Sequence, residues 1–132
     1  MERYLVAALT AGMLALGAQA YAHHSFAATY LEDRSVTIEG ELVRFLYRNP
    51  HSFVHVMVKE KDGTVVRYAV EWGPAMQLGS AGVMRETLKP GDYVIITGSP
   101  GRNPSDHRVR MASLHRPKDG LSWGQRSSES LN

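Results

Sequence analysis

Six histidines and no cysteine set the metal chemistry open to this 132-residue chain. His23 and His24 adjoin in Ala-His-His-Ser-Phe, and His51 follows Asn49-Pro50. His55, His107 and His115 complete the set. Without cysteine, thiolate metal sites, thiol nucleophiles and disulfides are excluded. Imidazole is then the main nitrogen ligand, and a square-planar nitrogen set suits Cu(II) or Ni(II).

What His23 and His24 can do depends on where the working chain begins. Arg3 and the terminal amine, opposed by Glu2, precede an apolar run from Leu5 to Leu16 broken by Thr10 and Gly12. Gly17, Ala18, Ala20 and Ala22 follow. That order is the pattern of a secretory signal, and the run is shorter than the roughly 20 apolar residues of a membrane span. Residues 1–22 are expected to be a signal peptide cut after Ala20 or Ala22, leaving a periplasmic or secreted protein with no membrane attachment. A cut after Ala20 leaves Tyr21 first, and the amine, two backbone amides and the His23 imidazole form a square-planar set. A cut after Ala22 leaves His23 first; its amine and ring chelate one ion, and a second histidine completes a T-shaped copper site. The opposing expectation is that both histidines lie on a loose arm and bind nothing specific.

His51 lies in the loop joining the first two predicted strands, and it is the third candidate metal ligand. A local hydrogen bond to a loop carbonyl is its simpler use. On a regular strand His51 and His55 share a face but stand about 13 Å apart, at a rise near 3.3 Å per residue, which is too far for joint ligation. Phe53 and His55 are kept as candidate ligand contacts. Met57 would suit Cu(I), yet a strand methionine more often packs. His107 and His115 bracket the last strand, too far apart to hold one ion.

Other chemistries find little support. No Gly-x-Ser-x-Gly or phosphate loop occurs, and no spacing supports a triad through Ser25, Ser52 or Ser113. A formal net charge of +2, with signs that alternate, does not point to nucleic acid. Asp33, Glu39, Glu41 and Glu71 are expected to pair with Arg44, Arg48 and Arg67 on outer strand faces.

The elements that must position these residues read as follows. Val36 and Ile38 alternate with Thr37 and Glu39, the period of a half-buried strand. Gly40 then precedes a shift of phase to Val43, Phe45 and Tyr47, which suggests a bulge or bend. Val54, Val56 and Val58 alternate with Phe53, His55 and Met57; Asp62-Gly63 signals a hairpin, and Val66, Tyr68, Val70 and Trp72 share a face of the return strand. Met76, Gly79, Val83 and Met84 stand at helical spacing, weakened by Gly79 and Gly82. "YVIITGS" and "HRVRMASLH" are the last two strands. Most of the aromatic rings, Tyr47, Phe53, Tyr68, Trp72 and Tyr93, are expected to fill the core or cap its ends.

Strand, strand, strand, helix, strand, strand predicts an all-β domain with one short helix, a five-stranded OB-like Greek-key barrel. A small antiparallel sandwich is the alternative. The expected divisions are an arm at 23–33, the barrel at 34–116 and a flexible tail at 117–132.

"AHHSFAATY", "VTIEGELVRFLYRNPHSFVHV" and "LKPGDYVIITGSP" together resemble a family of small exported bacterial proteins of unknown function. Its members start the mature chain with Ala-His-His-Ser-Phe and carry Asn-Pro-His after the first strand. The resemblance implies export and a barrel-like all-β domain, and it implies no activity or ligand.

Two functions follow as expectations, both non-catalytic. One is a periplasmic metal-binding module, for copper, through His23, His24 and His51. The other is a metal-independent module for a small molecule or an envelope partner, with the histidines structural.

Overall fold

The computed structural model describes residues 25–124; the signal-like segment, His23 and His24 lie outside them. A helical turn at 25–29 leads into β1 (Val36–Leu46), β2 (Phe53–Lys59), β3 (Val65–Glu71), helix α1 (Ala75–Ser80), β4 (Tyr93–Pro100), β5 (Arg108–Arg116) and β6 (Leu121–Gly124). The sheet order is β3-β2-β1-β4-β5-β6, and a parallel pairing of β3 with β5 closes the first five strands into a barrel. The fold is therefore the expected OB-like barrel.

β1 makes closure possible because it serves two neighbours. Val36–Glu41 pairs with β4, and Gly40–Leu46 pairs with β2. Ile38, Gly40 and Leu42 turn inward while Thr37, Glu39 and Glu41 turn to solvent. They meet Val54, Val56, Val70, Val94, Ile96, Val109 and Leu114 in the core. Gly40 is not the bulge that the sequence suggested. The register breaks between Leu42 and Arg44, and Gly40 is needed for close approach: a Cβ there would lie 1.9 Å from the Met57 carbonyl oxygen.

α1 covers one end of the barrel, on a different face from the expected one. Leu78, Val83 and Leu88 are buried, while Met76 and Met84 are 76% and 52% exposed. The helix is only six residues long and ends in a Schellman motif. Gly82 takes φ 85°. The Val83 N–H donates to the Leu78 carbonyl at 2.9 Å, and that of Gly82 to the Gly79 carbonyl at 3.1 Å. This reversal turns Val83 inward and breaks the helical spacing counted across it. Tyr93, expected to pack, is 49% exposed.

Of the tail expected to be flexible at 117–132, only residues 117–124 lie within the described residues, and they include an edge strand. β6 pairs with the C-terminal half of β5, and Trp123 stands edge-on to Trp72 with ring centroids 5.0 Å apart. Arg116 anchors the turn before β6. Its guanidinium donates to Asp92 and Asp119, both at 2.7 Å, and to the Thr87 carbonyl. Burial opposes ionisation of Asp92, but the Lys89 N–H and the Arg116 guanidinium outweigh it and hold its pKa below the usual range. The Arg116 contact pushes Asp119 down to about 2. A depressed carboxylate contributes stability fully above its unfolded pKa, and that contribution disappears as pH falls through the folded value. The melting temperature should therefore drop below about pH 4, and more shallowly in Asp92→Asn; thermal melts from pH 6 to about 2 check this.

Candidate functional site

The loop between β1 and β2 carries His51 and is held from within. Asn49-Pro50 is a cis peptide. Ser52, fully buried, donates its hydroxyl to the Arg48 carbonyl and accepts from the Arg48 N–H. Backbone bonds from Ser52 to Gly73 and from Trp72 to Ser52 fix the loop to the end of β3. In the β2–β3 ladder Phe53 pairs with Glu71, so His51 is delivered beside the Glu71 carboxylate. His51 Nδ1 lies 3.2 Å from Glu71 Oε1.

Glu71 is the hub. Its side chain is only 12% exposed, and Arg108 Nη2 stands 3.5 Å from Oε2. The Tyr30 hydroxyl donates to the same oxygen. Tyr30 is fully buried. Burial first, and then the hydrogen bond and charge of Glu71, raise its pKa well above the ordinary tyrosine value, so it stays a donor. A carboxylate can only accept. His51 Nδ1 therefore carries the proton toward Glu71, which leaves Nε2 as the lone-pair nitrogen of the neutral ring. No described residue hydrogen-bonds Nε2.

The arm is docked onto this hub. Tyr30 bridges to Gly101, and the Leu31 N–H donates to Pro100. Arg102 donates to the Ala27 carbonyl at 2.7 Å and Arg110 to Glu32 at 2.8 Å. Phe26 meets the His51 ring edge-on at 5.7 Å between centroids, and the Arg110 guanidinium covers Phe26 at 3.7 Å.

Beside His51 a groove of 520 Å³ runs between Phe26, Trp72, Leu78, Met111 and Trp123. The Trp72 indole nitrogen is the one buried side-chain polar atom without a hydrogen-bond partner among the described residues. A larger cleft, of 660 Å³, is lined by charges of both signs, including Arg34, Glu39, Lys59 and Glu60, and holds none of His51, Phe53 and His55.

The other sequence candidates are dispersed. Phe53 lies under the Arg48 guanidinium at 5.4 Å. His55 is on the outer face of β2, where its Nδ1 accepts from Arg67 Nε at 2.9 Å; it does not join His51. Burial, then the charges of Arg67, Arg44 and Arg48, lower its pKa and favour the neutral ring. His107 packs against Tyr68, and His115 bonds Ser122. Among the described residues no three His, Asp or Glu side chains form a group able to hold a metal ion. The expected ion pairs on the outer faces are also corrected. Glu71 pairs with Arg108, and Arg44, Arg48 and Arg67 meet no carboxylate among the described residues.

Sequence reasoning missed Tyr30, Phe26, Arg108 and the role of Glu71. Only Glu71 had a usable signal, a carboxylate at the end of a strand just before the Gly73-Pro74 break. The molecule thus belongs to the OB-like barrels, with a largely covered carboxylate joining arm, first loop and β5. Residues 10–110 match a family of unknown function (DUF6152), and the chain belongs to that family. A search of the curated proteins found no match.

Proposed function

We propose that the protein is an exported, non-catalytic binding domain that holds a copper ion, with His51 as the barrel's ligand and His23 and His24 as the arm's. The contact of His51 Nδ1 with Glu71 carries this reading. Metal-ligating histidines commonly donate their second N–H to a carboxylate, which fixes the tautomer and raises the basicity of the ligating nitrogen. Tyr30 and Arg108 in turn hold that carboxylate. Phe26 rests on His51, and only Ser25 separates Phe26 from His24 in the sequence.

Intact mass of the exported protein gives the mature N-terminus, and Cu(II) titration against a competing chelator gives the affinity. Binding tighter than about 1 μM that is lost in His23→Ala supports the proposal. Binding that survives loss of both His23 and His24 contradicts it.

The groove favours a second reading, a metal-independent module for a small molecule. A cleft of 520 Å³ lined by Phe26, Trp72, Leu78, Met111 and Trp123, with His51, Glu71, Gln77 and Arg110 as its polar groups, suits a small, largely apolar ligand. Trp72 and Trp123 are the chain's only tryptophans, so saturable quenching of their fluorescence by such a molecule, with copper chelated, would favour this reading.

A further inference from the structure

Among the described residues, three arginines touch a carboxylate and six, Arg34, Arg44, Arg48, Arg67, Arg85 and Arg102, do not. Arg108, Arg110 and Arg116 each touch a carboxylate. Arg44, Arg48 and Arg67 touch none, and all three are exposed near His55 on the outer face of the β1–β2–β3 sheet. In register, Arg44 lies directly opposite His55, and Arg67 opposite the next outward residue of β2, Met57. Glu41, also opposite Met57, forms no ion pair with any of them. The carboxylates of this face, Glu41 and Glu71, leave the three guanidiniums without an ion pair.

Two of the guanidiniums are also held in place. Arg67 Nε is tied to His55 Nδ1 at 2.9 Å. Arg48 Nε donates to the His51 carbonyl at 3.2 Å while its guanidinium lies over Phe53. In each, the terminal nitrogens stay available as donors. Because His55 Nδ1 is the acceptor, the neutral ring carries its proton on Nε2, which adds another donor.

We propose that Arg44, Arg48, Arg67 and His55 form a binding site for a phosphate group, separate from the site at His51. Guanidiniums fixed by a second contact lose little freedom on binding, and their planar forks match phosphate oxygens. Glu71, on the same face beside Phe53, is turned to Tyr30, His51 and Arg108, whose contacts offset part of its charge.

The test follows the His55 ring by NMR in the full mature protein with EDTA present, so it does not depend on copper. Inorganic phosphate is added at constant ionic strength, with sodium chloride as the matched control. Bound phosphate should raise the titration midpoint of His55 saturably and beyond the chloride control. Arg44→Gln and Arg48→Gln should each weaken binding about tenfold, the loss expected for one charge-assisted contact. Co-sedimentation with phosphatidylglycerol vesicles is the second arm. A response to inorganic phosphate identifies a free or small-molecule phosphate, and binding to vesicles alone identifies a lipid headgroup; either supports the site. The same midpoint in phosphate and chloride together with no co-sedimentation overturns it, as does binding unchanged in both arginine variants.

Discussion

Gly40→Ala should remove much of the barrel's stability by adding a single methyl. The new Cβ would lie 1.9 Å from the Met57 carbonyl oxygen and 3.2 Å from a Val56 methyl. Both neighbours belong to β2, and on its other side β1 is hydrogen-bonded to β4. The strands must part where β1 passes from one partner to the other. Overpacking costs about 1–3 kcal/mol where side chains can yield. Here backbone must yield, so the loss should be about 4 kcal/mol or more, in the exceptional range for a point substitution. For a domain of this size that lowers the melting temperature by roughly 15–30 °C. Gly73→Ala is the control: its Cβ would meet nothing nearer than 3.4 Å, and its melt should stay close to the parent's. Thermal melts followed by circular dichroism read both.

Glu71→Ala should have the next largest effect, and it should fall on the arm. One substitution removes the acceptor of a fully buried Tyr30 hydroxyl, the charge partner of Arg108 and the support of His51. A buried donor left without a partner costs about 1–3 kcal/mol, and an unpaired charge adds to that. The expected loss is about 3 kcal/mol, read as a fall in the urea midpoint. Glu71→Gln keeps an acceptor for Tyr30 and should recover part of it. Hydrogen exchange should show the backbone near Tyr30 and Leu31 less protected in Glu71→Ala, while the centres of β2 and β4 keep their relative order. An arm as well protected as in the parent would show that Glu71 does not anchor it.

The barrel was legible because alternation is a local property. Val54, Val56 and Val58 reveal β2 without reference to anything distant, and the Gly73-Pro74 break places the helix between β3 and β4. The bulge lies at Val43, beyond Gly40; glycine carries a signal common to bulges and close approaches. Which of these applies depends on the neighbouring strands. The helical face was misread because the Schellman turn at Gly82 reverses the chain in the middle of an apparent helical period. β6 is a four-residue edge strand with too little pattern to stand out from a polar tail. The site was the least legible part. His51 drew attention as a residue type, but its significance comes from Glu71, Tyr30 and Arg108, which lie 20, 21 and 57 positions away in sequence. The ladder register and the parallel closure of β3 on β5 bring them together, and neither can be read from any one segment. Tyr30 looked like part of a loose arm because nothing in its neighbourhood shows that it is fully buried.

The arm, the loop and the Glu71 carboxylate converge on the ring of His51, so copper ligation by that ring is the decisive question. Pulsed electron paramagnetic resonance of the Cu(II)-loaded mature protein counts the coordinated imidazoles, and the same sample type from His51→Ala shows whether one of them belongs to His51. Loss of one imidazole signal in His51→Ala is predicted, with a fall in copper affinity of about 100-fold; Glu71→Gln should keep the signal but bind about 10-fold more weakly. An identical imidazole count and affinity in His51→Ala would show that the barrel takes no part in holding the metal.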